Sequence, residues 1–364
     1  MKVNTISLNS VRLNTIALNH IGEIRSGGGG SKPSPIPQWI REHIVFYYDV
    51  KKQGATNETL KESAYLQDLS GKGRRMKLNN FLFAEMSGVG GYNDNFSNWK
   101  TDSNNGVVKI ESDSSIVMQS VKIEYRGILY QDSSKNATLK CNITGITEEL
   151  KGKLIFRYTD AEGGKNITLE NGYFEFNSSE YEGLSGWYGF TSKQPIDNCN
   201  ITITQIPEYP GALVTDGVDD YGLVENLSSG VKMLFMTVNP MMLDKCLYDQ
   251  RATSGWHLFA VITTSDFIAY NNYNTKGKTY INGTLNESQT SNELQNEKQI
   301  ITIVNSEVNE TNSLSPNFFR IRGGGLRMKC AFYNSIAFDS IPTEADGFTE
   351  QELINYVLTN IIGQ

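Results

Sequence analysis

Residues 212–222, ALVTDGVDDYG, decide the fold class of this chain. An apolar run leads into Asp216-Gly217, and Asp-Asp-Tyr leads out into a second apolar run at residues 221–224. Asp-Gly between two apolar runs is a strong short-range signal for a β-hairpin. The sequence therefore predicts a hairpin here, with Asp216 and Gly217 in its turn.

The end of the chain, SIAFDSIPTEADGFTEQELINYVLTNII at residues 335–362, predicts a strand, a loop and a short helix. Thr349 with Glu352 three residues later is a capping box, which begins a helix. The two segments, in this order, resemble the concanavalin A-like, laminin-G-like jelly-roll family. Residues 66–82, LQDLSGKGRRMKLNNFL, resemble the opening of such modules. The resemblance implies a β-sandwich that binds glycans or proteins; only some branches hydrolyse sugars, and some bind calcium at a rim.

A long interval separates this opening from the Asp-Gly turn, and it has the strand spacing of a second sandwich. Turns of Gly, Asn and Asp separate alternating segments, and the start at residue 92 resembles carbohydrate-binding jelly rolls; the segments are residues 121–130, 137–143, 153–158 and 171–176. We predict an all-β fold of two nested β-sandwiches. The first is discontinuous, over residues 38–91 and 209–364, and residues 92–208 form the inserted one. HIVFYYDV, at residues 43–50, predicts a strand buried on both faces.

Before these domains, residues 1–25 repeat with a period of five, as in TISLN, SVRLN and TIALN. The pattern resembles pentapeptide-repeat proteins, and four repeats are too few to bury their own apolar side chains. We expect them to be buried on a larger assembly, which makes this segment an anchor through Ile6, Leu8, Val11, Leu13, Ile16 and Leu18. The alternative is a disordered tail. Residues 26–37, SGGGGSKPSPIP, are a Gly/Pro linker, either a natural tether or an engineered fusion scar.

Composition excludes several classes of protein. The 364 residues are 38% hydrophobic and 10% aromatic, which suits a folded, strand-rich chain, and the formal net charge is −7 without a basic stripe. A nucleic-acid partner is therefore not expected.

No apolar run approaches the roughly 20 residues of a membrane span, and no secretory signal pattern opens the chain. Its four cysteines predict free buried thiols, with a pair between Cys141 and Cys199 as the alternative.

Catalytic patterns are weak, so we do not expect an enzyme. The acids Glu344, Asp346 and Glu350 lack the strand spacing of a glycosidase pair, and Glu350 is expected at a helix N-terminus. His20, His43 and His257 are the only histidines, and no Gly-x-Ser-x-Gly elbow is present. We expect no cofactor and no metal. Asp216, Asp219 and Asp220 are read as turn residues, with a calcium site as the alternative.

Glycan binding on such folds uses aromatic ring faces together with amide and carboxylate groups. Two aromatic pairs have polar, turn-like neighbours and are the candidates: Trp187 and Tyr188 in SGWYGF, and Tyr270 and Tyr273 in AYNNYNT.

Together these features predict a virion appendage, a head or tail fibre or decoration protein. Its N-terminus would dock on other virion proteins, and its sandwiches would bind a host-surface glycan. A homo-oligomer, preferably a trimer, would supply avidity. The alternatives are a secreted or cell-surface glycan-binding protein or glycoside hydrolase of a polysaccharide-degrading bacterium, and a purely structural capsid or tail protein.

Overall fold

The computed structural model describes residues 38–135, 138–225, 227, 229–243, 245–250, 259–262, 267–270, 277–287, 296–305, 315–347 and 349–363. The predicted anchor and linker lie outside these residues. Across them the fold is all-β, as predicted, and all strand pairs are antiparallel. The chain forms two compact units. Unit 1 comprises residues 38–83, Ser87–Val89 and the described part of Gly211–Gln364; unit 2 comprises Ala84–Met86 and Gly90–Pro210.

Unit 1 contains fifteen described strands and three helices. The strands are β1 Ile44–Asp49, β2 Tyr65–Leu66, β3 Met76–Asn79, β4 Gly88–Val89, β15 Leu213–Val214, β16 Tyr221–Val224, β17 Met233–Pro240, β18 Lys245–Asp249, β19 Phe259–Ile262, β20 Phe267–Tyr270, β21 Lys278–Ile281, β22 Thr284–Leu285, β23 Gln299–Val304, β24 Asn317–Phe318 and β25 Cys330–Phe338. The helices are α1 Gln38–His43, α2 Asn57–Ser63 and α3 Glu350–Val357, which a final helical turn, Leu358–Ile362, extends.

Unit 2 contains the ten strands between β4 and β15. They are β5 Lys100–Thr101, β6 Gly106–Ser112, β7 Ser115–Val121, β8 Leu129–Asp132, β9 Thr138–Thr144, β10 Leu154–Asp160, β11 Gly163–Thr168, β12 Gly172–Asn177, β13 Trp187–Ser192 and β14 Ile201–Gln205. Three single turns of 3₁₀ helix complete the described elements: Phe96–Asn98, Ser178–Glu180 and, in unit 1, Glu344–Asp346.

Two sheets make up unit 1. The eight-stranded sheet has the order β22-β21-β23-β17-β25-β15-β4, with β1 paired to β25, and the seven-stranded sheet has the order β2-β3-β16-β24-β18-β19-β20. One hydrophobic cluster takes side chains from both sheets, such as Leu234 and Ile303 from the first and Leu78 and Phe318 from the second. The shared cluster holds the two sheets together.

The central strands of the eight-stranded sheet are buried on both faces, and β1 shows why. Its six residues are all buried, which confirms the prediction for HIVFYYDV. Val45, Phe46 and Tyr48 join the cluster shared with the seven-stranded sheet, whereas Ile44 and Tyr47 join a second cluster on the opposite face. A register shift between Ile44 and Phe46 lets two successive residues face the same side.

Helix α3 covers that opposite face. Its apolar residues Leu353, Ile354 and Val357 pack in one cluster with Phe235 of β17 and Ile336 of β25. The predicted capping box is confirmed, since the Thr349 hydroxyl accepts a hydrogen bond from the Glu352 N–H at 3.3 Å. In return the Glu352 carboxylate accepts one from the Thr349 N–H at 2.7 Å.

The hairpin predicted at Asp216-Gly217 is wrong. β15 belongs to the eight-stranded sheet and β16 to the seven-stranded sheet, so the turn carries the chain from one sheet to the other. The Asp216 carboxylate accepts hydrogen bonds from the N–H groups of Val218 and Asp219 at 2.7 and 3.2 Å, and Gly217 has a φ of +78°. β15 and β16 do not pair with each other, because each pairs with strands that are remote in sequence. The connection is therefore a wide turn centred on Asp216 and not a two-residue hairpin loop.

Unit 2 is built from two five-stranded sheets. The first has the order β11-β10-β13-β8-β5 and the second β12-β9-β14-β7-β6. One hydrophobic cluster contains side chains of both, including Phe156 and Phe190 from the first sheet and Leu139 and Ile203 from the second. Strands over residues 137–143, 153–158 and 171–176 are confirmed as β9, β10 and β12, with ends that differ by one or two residues.

The continuous strand predicted over residues 121–130 is wrong. β7 ends at Val121, β8 begins at Leu129, and the intervening loop includes Tyr125 with a φ of +55°. The two strands belong to different five-stranded sheets, so the chain must leave one sheet before it enters the other. Alternation in the sequence does not reveal this break.

All four cysteines are free, as predicted, and Cys141, Cys246 and Cys330 are buried. Within the described residues, no helix combines the length and the apolar character needed to cross a bilayer.

Candidate functional site

The outer face of the first five-stranded sheet carries the candidate site, and β13 shows how its side chains divide. Tyr188 and Phe190 point into the hydrophobic cluster of unit 2, so Trp187 and Gly189 point to the outer face. Tyr188 is 0% exposed and its hydroxyl donates to the Lys135 carbonyl at 2.9 Å. This corrects the expectation for Tyr188, because a fully buried ring cannot stack on a glycan.

One residue from each strand forms a row across this outer face. The register pairs Lys100 with Tyr130, Tyr130 with Gly189, Gly189 with Arg157, and Arg157 with Asn166. Neighbouring strands lie about 4.8 Å apart, so the row extends over about 19 Å. Together with Trp187 and Asp132, which pair in the adjoining row, these residues are called the Trp187 face.

Two aromatic rings form the centre of the Trp187 face. The rings of Tyr130 and Trp187 meet edge to face, with centroids 5.7 Å apart and planes at 62°. Glycines leave room for the Tyr130 ring, since a Cβ at Gly127 would lie 2.9 Å from Tyr130 Cδ1 and a Cβ at Gly189 would lie 2.7 Å from Tyr130 Cβ. Tyr130 therefore packs directly against the backbone of Gly127 and Gly189, which restricts its position.

Arg157 lies beside this aromatic pair, one strand beyond Gly189. Its Nη1 donates to Asn166 Oδ1 at 3.2 Å, and its Cζ lies 5.3 Å from the centre of the Tyr125 ring. Its Nη2 passes over Gly164, where a Cβ would come within 2.8 Å. The guanidinium is thus held between an aromatic ring, an amide and a glycine.

At the opposite end of the row, charges are paired. Lys100 Nζ lies 3.7 Å from Asp132 Oδ2, and both side chains are about half exposed, so the ion pair contributes little to stability. Hydrogen bonds from the N–H and the hydroxyl of Ser134 lower the pKa of Asp132, which is therefore an acceptor at neutral pH. The face as a whole offers rings for stacking and polar groups around them, the arrangement that suits a saccharide.

The other predicted site residues lie in unit 1 or outside the described residues. Tyr270 is the last residue of β20, and Tyr273 lies outside the described residues, as do Ile6, Leu8, Val11, Leu13, Ile16, Leu18, His20 and His257. His43 ends α1, and its Nδ1 lies 2.9 Å from Asp339 Oδ1.

The acidic cluster lies in unit 1, in the turn between β15 and β16. One carboxylate oxygen from each of Asp216, Asp219 and Asp220 lies within 4.8 Å of the others. Asp216 Oδ1 accepts the hydrogen bonds of the turn described above. The Asp220 carboxylate accepts hydrogen bonds from Ser87 Oγ at 3.0 Å and from the Asp216 N–H at 2.9 Å. Burial raises the pKa of Asp220 to about 7. These hydrogen bonds agree with the prediction that Asp216 and Asp220 are turn residues; a calcium site stays the alternative.

Each of two acids considered for catalysis has local partners. Asp346 accepts hydrogen bonds from the N–H and the hydroxyl of Thr343, both at 2.8 Å. Glu350 begins α3 and accepts from the Tyr280 hydroxyl and from Lys278 Nζ, the latter at 3.2 Å. These contacts cap a turn and fix a helix to the eight-stranded sheet.

Comparisons with family models, with curated proteins and with solved structures yield no match. Tyr130, Arg157 and Asn166 were missed by the sequence analysis. Alternation gives no clear signal for Tyr130 or Arg157, because the polar Gln131 shares the inward phase of Leu129 and the apolar Ile155 shares the phase of Arg157.

Proposed function

We propose that the chain is a glycan-binding virion appendage, a fibre or decoration protein in which the Trp187 face contacts the host-surface saccharide. The observation that supports it best is the pair of rings, Tyr130 and Trp187, on an outer sheet face that also presents Arg157 and Asn166. Sugars bind proteins through such rings, which stack on C–H groups, and through polar groups that accept and donate to hydroxyls.

The attachment role rests on the sequence of residues 1–25, whose repeat is too short to bury its aliphatic side chains. Docking on other virion proteins would bury them. Each fully buried side chain would stabilise the complex by about 1.5–3 kcal/mol. An oligomer, for which we favour a trimer, would present several Trp187 faces at once and convert weak single-site binding into avidity. We propose no catalytic activity and no cofactor for this chain.

Binding of the full-length protein to a glycan array tests the proposal. Trp187→Ala removes the larger ring, and we expect it to reduce binding at least tenfold. Tyr173→Ala is the matched control, because Tyr173 is an aromatic residue of unit 2 that is 63% exposed on the second five-stranded sheet. Array binding that Trp187→Ala leaves intact, or that Tyr173→Ala abolishes instead, would contradict this assignment.

A further inference from the structure

The strongest unused feature of unit 2 is the positive charge of Arg157. Acidic side chains close to it in sequence have other partners: Glu162 Oε2 lies 2.6 Å from Lys165 Nζ, and Asp160 Oδ1 accepts from the Glu162 N–H at 2.9 Å. Among the described residues, no carboxylate lies within ion-pair distance of the Arg157 guanidinium. Asn166 is its one hydrogen-bond acceptor in that part of the chain.

A guanidinium has five N–H donors in a rigid, planar fork that matches the two oxygens of a carboxylate. At Arg157 this fork is held in place before any ligand arrives, since it donates to Asn166, lies 5.3 Å from the centre of the Tyr125 ring and occupies the space that Gly164 leaves open. Holding the side chain in advance reduces the entropy that binding would cost.

A second cation lies on the same outer face. Lys193 follows β13 directly, and its Nζ lies 3.3 Å from the hydroxyl of Thr168, which is two residues from Asn166 on β11. Elsewhere, Lys100 pairs with Asp132, and the loop around Tyr125 carries Lys122, Glu124 and Arg126. The part of the face that carries Arg157 and Lys193 is therefore positive in a chain whose net charge is −7.

The strand register gives the distance between Arg157 and the two aromatic rings. Arg157 pairs with Gly189 and Gly189 with Tyr130, so Arg157 lies two strands, about 10 Å, from Tyr130. Trp187 is two residues from Gly189, about 7 Å along β13. The guanidinium reaches farther still, to Asn166 on β11, so a saccharide stacked on the two rings would meet it with a neighbouring sugar residue.

We propose that the Trp187 face selects acidic saccharides, and that Arg157 binds the carboxylate of the sugar. This inference rests on the proposed glycan binding and adds the chemical class of the glycan. Neutral sugars of the same size would stack on the rings but leave the guanidinium without an anionic partner.

The test compares two acidic probes with neutral partners of the same skeleton. The probes are hexuronate oligosaccharides and sialylated oligosaccharides, each also prepared in carboxyl-reduced form, and binding to the full-length protein is measured by calorimetry. We expect at least one acidic probe to bind about tenfold or more tightly than its reduced form. Arg157→Gln should abolish that difference while it changes binding of the reduced form less than threefold.

Lys109→Gln is the control for a general loss of positive charge, because Lys109 lies on β6 of the second five-stranded sheet and already pairs with Glu111. It should leave the preference for the acidic probe intact. Equal affinity of acidic and reduced probes, with both lost in Trp187→Ala, would overturn the acidic specificity and leave the proposed glycan binding standing. Binding that Trp187→Ala does not affect, or no binding by any probe, would overturn both.

Discussion

Ser87 and Asp220 are 133 positions apart in sequence, yet Ser87 Oγ donates to Asp220 Oδ1 at 3.0 Å in the buried part of unit 1. All but three residues of unit 2 lie between them in sequence. The bond therefore joins the two segments of unit 1 close to the points where the chain leaves for unit 2 and returns. It also places a carboxyl group where water is excluded, which gives the stability of unit 1 a specific pH dependence.

Burial raises the pKa of Asp220 from 3.8 to about 7, so the folded protein binds this proton more tightly than the unfolded chain. The stabilising contribution is complete below about pH 4 and is lost as the pH rises toward 7. We expect the wild type to lose stability relative to Asp220→Asn as the pH rises from 4 to 7.5. The free energy of unfolding of both proteins is measured in urea at each pH. Parallel pH profiles for the two proteins would show that the carboxyl is not the source.

The contact between Tyr280 and Glu350 should stabilise helix α3 against the eight-stranded sheet. Burial and the neighbouring carboxylate raise the pKa of Tyr280, so its hydroxyl stays a donor at neutral pH. Tyr280→Phe should cost about 1.5–3 kcal/mol in urea unfolding, the value of a hydrogen bond to a charged group. Lys278→Met, which removes a mostly exposed partner of the same carboxylate, should cost less than about 1 kcal/mol. Equal losses in the two variants would contradict this ranking.

The buried position of Tyr188 leads to a test that separates the two neighbours Trp187 and Tyr188. Tyr188→Phe removes one hydrogen bond, to the Lys135 carbonyl, and should cost about 1 kcal/mol of stability with glycan binding unchanged. Tyr188→Ala leaves a large cavity in the core of unit 2 and should cost about 3–5 kcal/mol. A loss of glycan binding in a fully folded Tyr188→Phe would place the binding site elsewhere.

The role of residues 1–25 can be tested by deletion. Because their six aliphatic side chains are expected to be buried only on other virion proteins, the shortened protein should be soluble and folded, and circular dichroism should match that of the full chain. It should no longer be incorporated into particles, as measured by immunoblotting of purified virions. Incorporation at the wild-type level would contradict the proposed anchor.

Local patterns predicted part of this molecule well. Period-two alternation located β9, β10 and β12, and the Thr349–Glu352 pair located the start of α3. The Asp216 turn was misread because β15 pairs with β4 and β25, which are remote in sequence and leave no local signal. The same limit hid Tyr130, since the break between β7 and β8 is set by the division into two sheets.

For the candidate site, strand alternation distinguishes the two neighbouring aromatic residues of SGWYGF. Trp187 and Tyr188 are consecutive strand residues, so one must face outward and the other inward. The contribution of Arg157 could not be predicted in this way. It depends on the register that aligns Arg157 with Gly189 and Tyr130, and on the Tyr125 loop that packs against the guanidinium.

The emission of Trp187 during titration with the array-selected oligosaccharide tests the central claim most directly. A sugar stacked on the ring changes the polarity around the indole, so we predict a saturable change in fluorescence of the full-length protein that is lost in Trp187→Phe. An unchanged response in Trp187→Phe, or no saturable response in the wild type, would contradict glycan binding at this face.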